Sequence, residues 1–562
     1  MMATWTVQQP NPPHAARLAQ ACGIHPVTAQ LLLNRGIDSL AEAQRFFAPG
    51  LDRLQPPDVL PDLPAAVARL RRAIAEGEPI LVFGDSDVDG LTANVIVYEV
   101  LRELGATVRS KCSNRISDGY GLPAAHVRQI ARSGTKVLVL VDCGTNQAEE
   151  LRALSEHGID TIVLDHHVPV KSWAQPYALV NPHRTQGPGR ELCSAGLAIK
   201  LAQALFDEAI PDRLTAFLDL AALGTLADYA TLIGDSRILV SEGLPRLAAT
   251  QRPGLRRLCE ATGMTAPEPE HVTRRLVPRL NASGRLGDPT AVWHLLRREL
   301  DGRWRGWLLA TEAAHAQTKE LHRRITAQAQ EQVNRLHFRD QHVVVVSGTD
   351  WHQGLMGPLA ARLAERYGRP AIALALDSRQ GIGSGRSVPL FNLLQTLTQC
   401  EPLLVEFGGH AQACGLRLRA RDVASFRSLV NLRAREQLGA GAFVRRRLLD
   451  LAMPLADVEP RWIQETERFA PFGPGNARPA VSIRQVTFEV RSPRVAWASD
   501  GTRRVLARGG FSGIVPGWPY DVAAGAEVAE GTVTLTVNDV KPSVEPSELV
   551  RTADSSYTPG RA

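Results

Sequence analysis

Ile80–Gly90 reads ILVFGDSDVDG: a short apolar run, a glycine, then aspartates at 85, 87 and 89. Such a run, bounded by a turn and followed by a helical pattern over Leu91–Leu104, predicts a buried strand at Ile80–Phe83 entering a helix. Alternate residues of an extended segment face the same way, so the three carboxylates are crowded together. Their repulsion calls for compensation, and a hard divalent cation is the economical source of it.

The same grammar recurs downstream. A strand-like piece at Ala106–Ser110 follows the first helix; Lys136–Val141, in VLVLVDCG (137–144), ends in Asp142 and leads to a helix near Asn146–His157; Thr161–Leu164, in TIVLDHH (161–167), ends in Asp165, His166 and His167. Short β-rich runs alternating with helices predict βαβ units and a parallel sheet, with the functional loops at the carboxyl ends of the strands. Helix caps or surface ion pairs would explain any one of these acids, but hardly successive strand tips. A further acid, Asp228, interrupts the apolar stretch ALGTLADYATL (222–232), where an unpaired carboxylate is costly. Carboxylates mixed with imidazoles suit Mn²⁺, with Mg²⁺ at oxygen-rich positions. Two such ions about 3.5–4 Å apart activate water and offset charge on phosphorus, so phosphoester hydrolysis is the expected reaction. The chain has no G-x-x-x-x-G-K-[ST] loop and no Gly-Lys dipeptide, which argues against a P-loop motor.

At 562 residues the chain exceeds the usual domain of about 100–150 residues several times over. Residues 1–60 read as an N-terminal accessory segment, 61–265 as the catalytic domain, and 266–336 as a helical connector containing one long polar helix, Leu309–Leu336. Residues 337–445 read as a second α/β domain with glycine-rich loops GIGSGRS (381–387) and FGGHAQACG (407–415), 446–545 as a small β-barrel, and 546–562 as a disordered tail. Hydrophobic residues at 44% and charged residues at 22% fit a folded soluble protein. No apolar run approaches the roughly 18–20 residues of a membrane span, and the first twenty residues lack the basic start and apolar centre of a signal peptide. A cytoplasmic location is expected. The seven scattered cysteines include no CxxC pair and read as reduced packing residues. A net charge of +6 permits a nucleic-acid partner without requiring one. In the barrel region, Arg491, Arg494, Arg503, Arg504 and Arg508 interleave with Trp497, Phe511, Trp518 and Tyr520, with only Asp500 opposing them locally; this pattern suits a single strand, and a solvated barrel face is the alternative.

GDSDVDG (84–90), VDCG (141–144), LDHH (164–167) and GTLADYATL (224–232) resemble, in order, the four motifs of the DHH phosphoesterases. NRGI (34–37), FFAP (46–49), NRISDGYGL (114–122), VPRLNASGRL (277–286), WHQGLMG (351–357), GSGRS (383–387), FGGHAQACGL (407–416) and APFGPGN (470–476) are similar to motifs of the RecJ-type exonucleases, so the likeness runs from about residue 30 to 545. The resemblance implies an α/β protein: a parallel-sheet DHH domain joined by a long helix to a second α/β, DHH-associated domain, plus a C-terminal OB-type β-barrel. It implies that Asp87, Asp89, Asp142, His166 and Asp228 hold two divalent ions, Mn²⁺ or Mg²⁺, with Asp142 bridging. Asp85 and His167 are implied as catalytic contributors, His167 facing the scissile phosphate. A pocket for the 5′-terminal phosphate is implied from Arg115, Arg279 or Arg285, Ser384, Arg386 and His410. Guanidinium groups grip phosphate through paired hydrogen bonds, and glycines admit backbone N–H groups. Arg494, Trp497, Arg503, Arg504 and Arg508 would bind the strand on the barrel. Trp351 and His352 either contact the strand or, for Trp351, pack in the core. One departure is Ser86, where the family usually carries an aromatic residue, leaving local packing or substrate contact altered.

The implied activity is a single-stranded-DNA-specific 5′→3′ exonuclease releasing 5′-mononucleotides in DNA repair and recombination. It would act as a monomer beside a helicase and a single-strand-binding protein. The alternatives are a DHH enzyme of short oligonucleotides, nucleoside bisphosphates or cyclic dinucleotides, and a catalytically silent DNA-binding scaffold.

Overall fold

The computed structural model describes residues 4–117, 119–169, 172–206, 212–264, 267–299, 302–336, 341–389, 391–438 and 446–543; the tail expected at 546–562 lies outside them. The chain divides into two compact units, one built from residues 50–443 with 473–475, the other from the N-terminal 49 residues and the remainder of the C-terminal part.

The larger unit opens on a five-stranded, wholly parallel sheet: β1 (Ile80–Gly84), β2 (Val108–Cys112), β3 (Val137–Val141), β4 (Asp160–Leu164) and β5 (Ala178–Val180), in the order β2-β1-β3-β4-β5. Alternation along each strand feeds two cores. Val82, Val139, Val141, Ile162 and Leu164 pack on one face, Phe83, Leu138, Leu140 and Val163 on the other; such two-sided burial is why the strands read as continuous apolar runs. The register aligns Cys112, Gly84, Val141, Leu164 and Val180. The ladder continues one residue further through the amides of Ser113, Asp85, Asp142 and Asp165. Three acids therefore stand in one row at the carboxyl edge, where the direction of winding reverses between β1 and β3. The segment after Pro49 belongs here: Leu60 is buried in the sheet's core, and Gln55 N–H donates to Asp235.

Helices α1 (Val88–Glu103), α2 (Ser194–Phe206), α3 (Leu218–Ala227) and α4 (Val277–Leu286) surround the edge. The connector helix α5 runs over Trp304–Asn334, beginning before the predicted Leu309. At 1.5 Å per residue it is about 46 Å long. Its last turns bury Ile325, Ala329 and Val333 against a second sheet. That sheet comprises β6 (Val344–Gly348), β7 (Ala371–Leu376), β8 (Gln380–Arg386), β9 (Leu404–His410) and β10 (Ala413–Arg419), in the order β9-β10-β8-β7-β6. Only β6–β7 is parallel; the rest is antiparallel. The two glycine-rich segments expected as loops are thus strands. Gly383 and Gly385 serve packing, since a Cβ there would lie 2.3 Å from Ala373 O and 2.6 Å from Leu393 Cδ2. Trp351 is a core residue, its indole N–H held by Gln328 Oε1 at 2.6 Å.

In the other unit, strands Val481–Ser492, Val495–Ser499, Arg504–Arg508, Thr532–Pro542 and Tyr520–Ala529 pair in that order, and the last closes on the first. This is a closed five-stranded barrel in which Arg504–Arg508 and Thr532–Pro542 run parallel, as in an OB-type fold. The N-terminal segment packs on the barrel: Leu18, Ala29, Leu31, Leu32 and Ala43 share one hydrophobic core with Ile483, Phe488, Val522 and Leu535. Amphipathic helices this short cannot bury their apolar faces alone. All seven cysteines are free thiols. Among the described residues no helix is long and apolar enough to cross a membrane.

Candidate active site

Each acid at the sheet edge has a dedicated polar partner. Asp85, fully buried, accepts from Ser113 Oγ at 2.9 Å and from Arg115 Nη2 at 2.5 Å. Asp87 is the N-cap of α1, accepting from Gly90 N at 3.2 Å. Asp89 lies in the first turn and takes the Ser194 and Ala195 amides, both at 2.8 Å, on its two oxygens. These amides open α2, where the helix dipole favours a carboxylate. Gly224 of α3 makes room for it: a Cβ there would lie 3.0 Å from Asp89 Oδ1 and 2.5 Å from the Ala195 Cβ. Asp142 has φ +63, a left-handed conformation uncommon for a residue with a side chain. Ser194 Oγ donates to its Oδ1 at 3.0 Å, and Tyr120 Oη donates to its carbonyl at 3.1 Å.

The histidines complete the cluster. His166 Nε2 stands 3.4 Å from Asp142 Oδ1 and 3.8 Å from Asp89 Oδ2, and its Nδ1 3.9 Å from Asp228 Oδ2. His167 Nδ1 contacts Asp165 Oδ1 at 2.7 Å and Tyr120 Oη at 3.0 Å. Asp165 also accepts the Thr145 and His167 amides, so it orients its neighbour. Ligand atoms in each of three groups lie within 4.8 Å of one another: Asp85, Asp87 and Asp142; Asp89, His166 and Asp228; and Asp142, His166 and His167. Asp228 reaches the cluster as the C-cap of α3, its side chain 31% exposed, so its burial is partial.

The electrostatics follow from burial and crowding. Burial, then Asp87 and Asp89, pushes the Asp142 carboxyl well above the ordinary carboxylate range. Asp89 is raised by burial against the pull of His166, and Asp85 by burial against Arg115. Burial opposes charge on His167, yet Asp165 prevails and pushes it up to about 9. Burial and nearby acids push Asp228 up to about 7, against His166. Four carboxyls that resist ionising together form a site that lacks positive charge.

The cations lie across from it. Arg115 is committed to Asp85, which, against burial, secures its charge. Arg279 and Arg285 differ in their surroundings. Arg279 donates to Arg275 O at 2.8 Å and forms an ion pair with Glu312 Oε1 at 3.3 Å. Arg285 loses basicity to burial, and the nearby charges acting on it include Asp87, Arg115 and Arg386. In the second sheet, His410, Ala413 and Arg386 form one row, and Gly408, Gly415 and Ser384 a parallel row two residues away on the same face. Arg386 Nη1 donates to Ser384 Oγ at 3.3 Å, while Nη2 lies 3.2 Å from where a Cβ on Gly357 would project. Gly357 is in the first turn of helix Met356–Tyr367, so the guanidinium shares its place with a helix N-terminus. Burial lowers Arg386 and His410 alike, and His410 feels Arg386, His167 and His166. Among the described residues no carboxylate is in ion-pair contact with Arg285 or Arg386. His410 closes β9 at the hairpin, where its Nδ1 accepts from Gln412 N at 3.4 Å.

Residues that sequence reasoning passed over hold this geometry. Asn281 Oδ1 accepts the Val88 amide at 3.0 Å, and Gly284 lets α4 close over the first motif: its Cβ would lie 2.4 Å from Ser86 O. Ser86 is thereby buried. Gln353 Nε2 donates to Ile116 O at 3.3 Å, and Gly354 abuts the Arg285 carbonyl, tying the second domain to both phosphate-pocket motifs. Tyr120 and Ser113 sat in or beside quoted motifs without a signal marking them. On the barrel, Trp497 and Arg504 stack at 4.8 Å, and Arg508 and Arg494 are exposed. Arg503 is used structurally, donating to Ala456 O at 2.9 Å. The arginines are opposed by more than Asp500: Glu489 pairs with Arg491 of its own strand at 2.5 Å and, across the intervening strand Val495–Ser499, with Arg504.

Comparison with known proteins agrees with this architecture. Residues 79–225 match the DHH family, N-terminal domain, and residues 340–436 the DHHA1 domain. The chain is 34% identical over 492 residues to the single-stranded-DNA-specific exonuclease RecJ of Bacillus subtilis, covering 86% of this chain and 62% of that one; it thus spans about three fifths of that relative's length. It is 34% identical to RecJ of Dickeya dadantii over 69% of this chain and 71% of that one. The crystal structure of RecJ in complex with Mn²⁺ from Thermus thermophilus superposes with a TM-score of 0.83 at 28% identity, covering 96% of this chain and 79% of that one. Order and spacing of the acid-tipped strands, the second α/β domain and the closed barrel are shared across this length, and the chain belongs to the RecJ family.

Proposed function

We propose that this chain is a metal-dependent exonuclease that degrades single-stranded DNA from its 5′ end and releases 5′-mononucleotides. The observation that carries the reading is the facing of two charge sets: a crowded acid and imidazole cluster, and the cations Arg285 and Arg386, which meet no carboxylate partner among the described residues. The donor chemistry fits divalent ions, because oxygen and imidazole donors converge in two separate groups of three. Asp85, Asp87 and Asp142 would hold one, and Asp89, His166 and Asp228 the other, with Asp142 also facing His166. Mn²⁺ or Mg²⁺ bound there supplies Lewis acidity that activates water and offsets charge on the scissile phosphate.

The chain's own groups do the rest. Ser194 and the opening amides of α2 fix Asp142 and Asp89. Asp165 keeps His167 charged at neutral pH and aimed, so it can donate to a phosphate oxygen. Arg386, Ser384, His410 and the helix N-terminus at Gly357 receive the terminal 5′-phosphate, with Arg285 beside them. Trp497, Arg504, Arg508 and Arg494 hold the trailing strand through stacking and charge; Arg503 is a weaker candidate because its guanidinium is already engaged. The enzyme works in the cytoplasm as a monomer, in repair and recombination, on strands opened by a helicase and covered by a single-strand-binding protein.

The test is digestion of end-labelled strands bearing a 5′-phosphate, a 5′-hydroxyl or no end at all, with Mn²⁺ or Mg²⁺, beside Asp89→Ala. Rapid release from the 5′-phosphorylated strand, slower release from the 5′-hydroxyl strand, none from the circle and none by the variant are expected. Equal cutting of the circle refutes end recognition.

A further inference from the structure

Tyr229 directly follows Asp228 and is 64% exposed. Nearby apolar side chains turn inward: Leu226 and Leu232 belong to the domain core, and Ala227 and Ala230 pack against it. The Tyr229 ring belongs to none of these clusters. Its backbone has φ +57, a conformation that glycine or asparagine takes readily and an aromatic residue seldom does. A large apolar ring kept in water, on a backbone disfavouring any side chain, gains nothing from packing; strain of this kind collects at functional sites. Its neighbours tell what it meets. Asp228 stands 3.9 Å from His166, and the Tyr229 phenol is within electrostatic reach of Arg285. Tyr229 thus adjoins an acid of the cluster along the chain and lies within electrostatic range of one of the cations.

Resting on the exonuclease reading above, we propose that Tyr229 is a substrate-binding residue: the platform on which the base of the 5′-terminal nucleotide stacks while its phosphate is held by the cations and its 3′ phosphodiester lies at the acids. Every base has a flat face, so such a contact fits an enzyme that removes successive nucleotides of any sequence.

The experiment measures KM and kcat for Tyr229→Phe, Tyr229→Ala and Tyr229→Gly on two 5′-phosphorylated strands, one ordinary and one with an abasic first residue. On the ordinary strand, Phe should stay within about twofold of wild type, whereas Ala and Gly raise KM about tenfold with kcat little changed. On the abasic strand wild type should already show the raised KM, and Ala should add nothing. Gly controls for the backbone, since it relieves the φ strain as it removes the ring. Wild-type KM in Ala and Gly, or equal losses on both strands, overturns the proposal while leaving the exonuclease reading intact. Absence of metal-dependent cleavage by wild type overturns that reading and this one with it.

Discussion

The acids of the first sheet and the arginines of the barrel are both dense clusters of like charge, yet the structure treats them differently. Asp85, Asp89 and Asp142 are buried, held by amides and hydroxyls, and left without enough positive charge. The barrel's Arg491 and Arg504 are exposed, and one glutamate, Glu489, meets both. Like charge that is desolvated and rigidly placed costs several kcal/mol unless a ligand compensates it. Like charge in water, interleaved with its opposite, costs little and signifies less.

Substitutions can break this contrast. Asp142→Asn should produce the largest effect, a loss of nuclease activity of about a thousandfold or more, while the metal-free protein melts no lower than wild type because one repelling charge is gone. Mn²⁺ at a hundred times its Kd should stabilise wild type by about 2.7 kcal/mol, and the variant far less; calorimetry reads both. A lower melting temperature for metal-free Asp142→Asn would mean the acids are structural. Next comes Arg386→Ala, expected to raise KM for a 5′-phosphorylated strand about ten- to a hundredfold through lost charged hydrogen bonds, and to leave a 5′-hydroxyl strand unchanged. Tyr120→Phe should cost kcat about tenfold or less, the value of one hydrogen bond of about 1 kcal/mol. Arg504→Ala should weaken strand binding by only a few tenths of a kcal/mol, since Glu489 already occupies it. Fluorescence anisotropy that showed a loss above about 2 kcal/mol would place the barrel face on the same footing as the acids.

The acid cluster also has a pH signature. The folded pKa of Asp228, up to about 7, lies above the ordinary value of 3.8. The metal-free fold therefore gains stability from this group below about pH 4 and loses it as pH rises through 7. Metal must displace that proton, so Mn²⁺ affinity measured by titration should fall as pH drops below 7.

Much of the first domain was legible because burial on both faces makes its strands plain apolar runs, so Asp85, Asp142 and Asp165 appear as abrupt endings. What pairs with a residue across space was not legible. Glu489 lies only a few residues before Arg491 and Arg494, but its opposition to Arg504 exists through strand pairing. Arg279 and Arg285 share one motif, and only the placement of Glu312 on α5 separates their roles. The surface that the N-terminal helices cover was not legible, because short amphipathic segments do not name it; Leu31 and Leu32 pack in the barrel's core.

Because Asp85, Asp142 and Asp165 extend hydrogen-bonded neighbours of one parallel sheet, the distance between their strands is the interstrand repeat of about 4.8 Å. Peptide geometry, which no side-chain substitution alters, thus acts as the ruler for the ions. Point mutation can delete a ligand but scarcely re-space the set. Inserting a single residue before Asp142 would instead turn its carboxylate to the opposite side of the sheet, so this centre should tolerate evolutionary drift in its walls far better than any change in strand length.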